Sequence, residues 1–123
     1  FQSVSQETLR QFSQIIIEFH SLDKCIKDLD FFKRGKMEHW RYAPMKETLT
    51  ALRQNFTPYH VHGNNHRGTF LFEGVTVPEV LEVSYVRNDL VEFTDEQQSF
   101  PTALDRPNMK GAPDHQLGNF QWT

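Results

Sequence analysis

The sequence has little of what marks exported, membrane-bound or nucleic-acid-binding proteins. Its one cysteine, Cys25, cannot form an internal disulfide, which indicates a reducing compartment and predicts a cytoplasmic protein. No apolar run approaches the roughly 20 residues that a membrane span needs, and no stretch resembles a secretory signal. Because 16 acidic residues outnumber 13 basic ones, the net charge is -3, and we expect no surface for nucleic acid.

Glycine is also scarce. Six glycines are scattered over 123 residues, and no G-x-G-x-x-G motif occurs. A motif of that kind lets the backbone approach a dinucleotide cofactor closely. The sequence therefore predicts no cofactor pocket within this chain.

Short apolar runs argue for a folded sheet in spite of the low hydrophobic fraction of 37%. Two of these runs, Ile15–Ile17 and Val80–Val83, are rich in β-branched residues, as buried strands are. Eleven phenylalanines are enough to build a core. The length suits one compact domain or half of a larger one.

The spacing of apolar and turn residues predicts an alternation of helices and strands. The predicted helices cover 5–12, 21–32 and 44–55; the predicted strands cover 14–20, 59–62 and 79–86. Between them we expect a charged excursion over 33–42 and a long connection over 63–78. Strand–helix–strand spacing implies a right-handed parallel crossover, and the last strand should run antiparallel because only a loop precedes it.

The chain divides into three parts. Residues 1–3, Phe-Gln-Ser, match the end of a common protease-cleavable tag and are left out of the fold analysis. Residues 4–91 form the predicted α/β unit. Residues 92–123 carry three of the six prolines and no clear period, so they are expected to form an extended C-terminal tail over the surface.

Four motifs occur in this order: "IIIEFHSLD", "ALRQNFTPYHVHGNN", "VPEVLEVSYVRNDL" and "FPTALDRPN". Together they resemble the C-terminal half of FkbM-type methyltransferases, and the resemblance covers roughly Glu7 to Asn108. It implies part of the Rossmann-like class I fold that binds S-adenosylmethionine. Residues 15–20 would correspond to strand five, 59–62 to strand six and 79–86 to strand seven, with the last strand inserted antiparallel between the other two.

The resemblance also implies a function. The chain would be the substrate-side part of an S-adenosylmethionine-dependent methyltransferase that O-methylates a glycan or another small metabolite. The family binds its cofactor through the first half of the fold, which has no counterpart here. We therefore expect this chain alone to bind no cofactor and to be inactive.

Histidines and carboxylates are expected to meet at one edge of the sheet. Ligands bind beyond the carboxyl ends of parallel strands, so His20 and His62 should lie at that edge, with Glu18 one step deeper. A histidine held by a carboxylate could act as general base toward a hydroxyl, and we take these three residues as catalytic candidates. The residues expected to bind substrate at the same edge are Asn64, Asn65, His60 and Glu79.

Two other interpretations of the histidines remain open. Glu18 and His60 could be buried polar residues whose hydrogen bonds fix the strand register. Alternatively, His20, His60 and His62 could hold zinc or manganese. Asn64 and Asn65 after Gly63 could also simply form a tight turn.

The predicted half-sheet has a consequence for assembly. It would leave an open edge beside the strand at 14–20, and open edges invite pairing with another chain, so we expect a homo-oligomer. Two other functions also remain open: a small α/β module that binds a ligand or a metal through its histidines, and an inactive truncated domain.

Overall fold

The computed structural model describes residues 4–26, 42–94 and 97–119. The tag-like residues 1–3 lie outside this part of the chain. So do nearly all of the predicted excursion over 33–42 and the second half of the predicted helix over 21–32. Within the described residues, no helix is long and apolar enough to cross a membrane.

The described residues contain both helices and strands, which confirms the mixed α/β class. The helices are α1 (Gln6–Leu9) and α2 (Tyr42–Leu52), and residues 22–26 are also helical. The strands are β1 (Gln14–Phe19), β2 (Phe56–Gly63), β3 (Thr69–Phe72), β4 (Val75–Pro78), β5 (Leu81–Arg87), β6 (Ser99–Phe100) and β7 (Gly118–Asn119). A 3₁₀ turn over Asn88–Leu90 follows β5.

The central sheet has three strands in the order β1-β5-β2. Strand β5 is antiparallel to both neighbours, which confirms the predicted direction of the last strand. Strands β1 and β2 run the same way, but β5 separates them, so the expected parallel pair is not formed. The described residues contain antiparallel pairs only: those of the central sheet, β3 with β4, and β6 with β7.

The inner face of the central sheet forms the core. Residues paired across antiparallel strands point to the same face; Val83 pairs with Ile17 on one side and with Val61 on the other. This row packs with Leu9 of α1 and Leu52 of α2. Removing these aliphatic groups from water stabilises the layer by about 1.5–3 kcal/mol for each fully buried side chain.

The boundary between α2 and β2 differs from the prediction. The helix was expected to reach residue 55, because Phe56 continues its helical spacing. It ends at Leu52 instead, and Phe56 becomes the first residue of β2, paired with Arg87 and only 2% exposed. Phe56 thus packs in the core, as its helical spacing predicts, but it does so from β2 and not from α2.

A bulge shapes the middle of β2. Pro58 pairs with Tyr85 and His60 with Ser84, so Tyr59 between them has no partner on β5. In a strand with strict alternation, Tyr59 would share the face of Val61. Tyr59 is instead 44% exposed, while Val61 is fully buried. The extra residue releases Tyr59 from the alternation of the strand.

The C-terminal segment contributes more than surface cover. Residues 97–119, which we call the strap, contain only two short strands but carry Phe100, which is 3% exposed and belongs to the core cluster. Leu117 N donates to the Phe100 carbonyl at 2.9 Å, beside the β6–β7 pair. The strap therefore packs on the α/β unit as an integral part of the fold.

Candidate functional site

The carboxyl ends of β1 and β2 meet at the start of β5, as predicted. Phe19 of β1 and Gly63 of β2 both pair with Leu81, the first residue of β5. One residue further in, Glu18 and His62 both pair with Glu82 and so share the outer face of the sheet. The outer face at this edge is therefore rich in charged and polar side chains.

Three of the predicted residues form one hydrogen-bonded cluster. Glu18 accepts a hydrogen bond on Oε2 from His20 Nε2 at 2.8 Å and another on Oε1 from Asn64 Nδ2 at 2.7 Å. The turn after β2 fixes Asn64, because its Oδ1 accepts the backbone N–H of His66 at 3.0 Å. We call Glu18, His20 and Asn64 the edge cluster.

The edge cluster keeps its carboxylate ionised. The hydrogen bond from Asn64 is the main reason why the pKa of Glu18 lies below its ordinary value. Burial raises the pKa of Glu18, whereas the hydrogen bond from His20 and the charge of His20 lower it further. At neutral pH the Glu18 carboxylate can therefore accept hydrogen bonds but cannot donate one.

An ionised Glu18 determines which nitrogen of His20 carries the proton. Since the carboxylate can only accept, Nε2 of His20 must be the donor, and in the neutral ring Nδ1 is then left with its lone pair. The His20 side chain is 65% exposed. The edge cluster thus presents to solvent a histidine that is oriented by the Glu18 carboxylate, and this carboxylate is held in turn by the Asn64 amide.

An unusual backbone conformation follows His20 directly. Ser21 has a φ of 59°, in the left-handed region that side chains other than glycine rarely adopt. It forms the turn from β1 into helical residues 22–26, and its carbonyl accepts Cys25 N at 3.0 Å. Conformations of this kind cost about 1–3 kcal/mol and cluster at functional sites.

His62 has a different environment from His20. It is only 6% exposed, and its Nε2 donates to Asp114 Oδ2 at 2.9 Å. The other oxygen of Asp114 accepts the backbone N–H of His115 at 3.0 Å. His62 lies at the predicted edge, but Asp114 of the strap covers it.

His60 is also paired with the strap. Its Nε2 lies 3.0 and 3.1 Å from the two carboxyl oxygens of Asp105, and its ring meets Phe100 edge to face at a centroid distance of 5.3 Å. Burial raises the pKa of Asp105, but hydrogen bonds from the Thr102 backbone and hydroxyl and from His60 outweigh it and hold the pKa below its ordinary value. This pair supports the interpretation of His60 as a structural residue.

Asn65, in the turn after β2, holds the strap through hydrogen bonds. Its Nδ2 donates to the Pro113 carbonyl at 3.1 Å and reaches the carbonyls of Met109 and Ala112 at 3.4 Å, while its Oδ1 accepts Met109 N at 2.7 Å. Asn108 of the strap donates to Glu82 at 2.9 Å. Asn65 therefore serves the strap rather than the edge cluster.

Glu79, the last of the predicted substrate-binding residues, acts through its backbone. Its N–H donates to the Gly68 carbonyl at 3.0 Å, and its own carbonyl accepts Leu22 N at 3.0 Å. These two bonds tie the start of β5 to the turn after β2 and to helical residues 22–26. Glu79 thus helps to hold the edge in place.

The metal interpretation gains no support from the described part of the chain. No group of three or more histidine, cysteine, aspartate or glutamate side chains there is arranged to hold a metal ion. His20, His60 and His62, the alternative ligands, each bond a different carboxylate: Glu18, Asp105 and Asp114.

The residues that sequence analysis missed are Asp105 and Asp114. They lie 45 and 52 residues from their histidine partners, so no local spacing could reveal them. Asp105 stands within the motif "FPTALDRPN", which carried part of the resemblance. Asp114 had no signal of its own.

A separate concavity lies at the far end of the sheet. It has a volume of about 330 Å³, and its lining residues are Arg10, Gln54, Asn55, Arg87, Asn88 and Asp89. Asp89 accepts from Arg87 Nε at 2.6 Å and so neutralises one of its two arginines. We interpret Arg87 as structural, because it also donates to the carbonyls of Arg10 and Phe12 at the end of α1.

Comparison with known proteins identifies no relative: no family model matches the chain, and neither the curated proteins nor the solved structures include a match.

Proposed function

We propose that this chain is the substrate-side part of an S-adenosylmethionine-dependent methyltransferase, and that it acts on a hydroxyl group of a glycan or small metabolite. The observation that carries the proposal is the edge cluster, which presents an oriented histidine at the carboxyl ends of β1 and β2. Ligands of open α/β sheets bind at such an edge.

The strand order also supports the proposal. A last strand lying antiparallel between two strands of common direction is the arrangement that the resemblance implies for strands five, seven and six. In a three-stranded meander, strands that follow one another along the chain would lie side by side, with the last strand at one edge. The insertion of β5 between β1 and β2 is thus a specific point of agreement.

His20 is the proposed general base. Its Nδ1 would accept the proton of the substrate hydroxyl, while Glu18 stabilises the positive charge that forms on the ring, and Asn64 orients Glu18. We prefer His20 to His62 for this role because His20 is exposed and His62 is covered by Asp114. A base held by a second group that a third group orients is a recurrent catalytic arrangement.

The described residues do not fit the cofactor itself. Gly63, the glycine nearest to the edge cluster, lies so close to its neighbours that an added Cβ would meet Pro78 at 2.9 Å and His115 at 3.0 Å. It offers no open cradle for a ligand. We therefore assign no part of cofactor binding to this chain, and the methyl donor would be held by another part of the complete protein.

Calorimetric titration with S-adenosylmethionine tests the proposal without knowledge of the acceptor. We expect micromolar binding by the complete protein of this proposal, which includes the cofactor-binding half, and no measurable binding by residues 1–123 alone. The proposal is wrong if the complete protein fails to bind the cofactor. It is also wrong if residues 1–123 bind the cofactor unaided.

A further inference from the structure

We infer that β1 is the contact surface of a symmetric dimer, in which the β1 strands of two copies pair antiparallel. The inference concerns the 123-residue chain, because the proposed function would place a strand of the cofactor-binding half beside β1 in the complete protein. It starts from the position of β1 in the sheet. Within the described part of the chain, β1 pairs only with β5, so its other side is an edge of the central sheet.

The composition of β1 does not protect this edge. Soluble proteins commonly protect an edge strand with lysine, proline, a bulge or short length. Strand β1, "QIIIEF", has six residues in unbroken register with β5, contains neither proline nor lysine, and has Ile16 on the outer face with 70% of its surface exposed. An edge of this kind is built to accept another strand.

The register of β1 with a second copy follows from its side chains. A two-fold axis at Ile16 pairs Ile16 with itself, Ile15 with Ile17, and Gln14 with Glu18 of the second copy. In this register, inward-facing residues of one copy pair with inward-facing residues of the other. The apolar inner faces of both copies therefore lie on the same side of a six-stranded sheet.

This register is also favourable in its polar contacts. The Gln14 amide of each copy can donate to Glu18 of the other, and the exposed Ile16 side chains cover each other. An axis at Ile17 would instead place Glu18 opposite Ile16. The observed sequence therefore favours a second copy in the register centred on Ile16, and Gln14 of that copy would extend the edge cluster.

The expected affinity is modest. One strand pair buries less than the roughly 1,600 Å² of a standard interface, so we expect dissociation constants in the micromolar range. In the 123-residue chain, the occupant to which we commit is the second copy.

Cysteine cross-linking tests the register directly, in a Cys25→Ala background to remove the native thiol. Paired Cα atoms of antiparallel strands lie about 4.5–5.5 Å apart, within the range of a disulfide. Ile16→Cys should therefore cross-link rapidly with oxidised glutathione. Leu71→Cys, at an equally exposed position on β3, is the matched control and should not. Equal rates for the two variants would overturn the proposal.

Charge at position 14 gives a second, independent test by sedimentation velocity. With two equivalent pairs in each dimer, Gln14→Lys should tighten association by about two- to thirtyfold, and Gln14→Glu should weaken it by a similar factor. Circular dichroism of both variants is the control for folding. A chain that remains monomeric at about 100 µM, or a change in the same direction for both variants, contradicts the inference.

Discussion

At the scale of single residues, the surroundings of each histidine decide what it can do. His20 and His62 both bond a carboxylate through Nε2, and both lie where β1 and β2 end. His20 is 65% exposed in its side chain, whereas His62 is 8% exposed beneath Asp114. His20 is therefore accessible to a substrate, whereas His62 holds the strap in place.

The buried pair of His62 and Asp114 should be visible in a double-mutant cycle. His62→Gln should lower the free energy of unfolding by about 1–3 kcal/mol, because a buried polar group loses its partner. Combined with Asp114→Ala, the two changes should show a coupling of about 0.5–3 kcal/mol in urea unfolding. His66→Gln, at an exposed position, is the control and should change little. Strictly additive effects would contradict the structural role of the pair.

The pKa of Asp105 predicts a pH dependence of stability. Its pKa in the folded chain lies below the ordinary value of an aspartate. Its interactions therefore contribute their full stability above the unfolded pKa and are lost as the pH falls through the lower, folded pKa. Asp105→Asn should be less stable than the wild type at neutral pH, and the two should converge in strong acid. Urea unfolding over a pH series measures this, and a constant difference would refute it.

At the scale of elements, the close packing of β2 against the strap depends on Gly63. An added Cβ would meet the Pro78 ring at 2.9 Å and His115 at 3.0 Å, and neither neighbour can yield freely. Overpacking of this kind costs about 1–3 kcal/mol. Gly63→Ala should therefore lower the thermal midpoint clearly.

Gly68→Ala is the matched control for Gly63→Ala. The nearest atom to its added Cβ is the flexible Glu79 carboxylate at 3.4 Å, an ordinary contact. The control should unfold close to the wild-type temperature. If the two alanine variants unfold at the same temperature, the strap does not pack against β2 as described.

The elements show where sequence periodicity is reliable. The predicted helix over 5–12 begins at Ser5, and Ser5 caps α1 in the structure, because its Oγ accepts Thr8 N at 3.1 Å. The runs around Ile16 and Val83 predicted β1 and β5 because both the residue type and the spacing indicate strands. The start of β2 was missed because Phe56 fits a helix face and a strand equally well.

The candidate site was predictable only in part, for a physical reason. Glu18 lies near the end of β1 and His20 directly follows the strand, so the alternation of an extended chain already places the two side chains on one face. The contact of Asn64 with Glu18 required only that β1 and β2 end at one edge. The partners of His60 and His62 come from an irregular segment, whose path depends on tertiary hydrogen bonds and not on local periodicity.

At the scale of the whole molecule, the strap and the edge cluster divide the outer face of the sheet. The strap covers β2 through His60, His62 and Asn65, while the edge cluster stays open beside β1. Under the proposed function, substrate would approach over β1 and the strap would form one wall of its site. The edge cluster and the strap then carry separate roles, catalytic and structural.

The central claim is that the exposed His20, and not the buried His62, removes the proton from the substrate. The most direct measurement is the turnover number for methyl transfer by the complete protein of the proposed function, with the hydroxylated acceptor that it methylates fastest. We expect His20→Gln to lower this number by about 10²- to 10⁴-fold, and His62→Gln to leave it within a few-fold at a temperature where the variant is folded. An unchanged turnover number in His20→Gln would contradict the account.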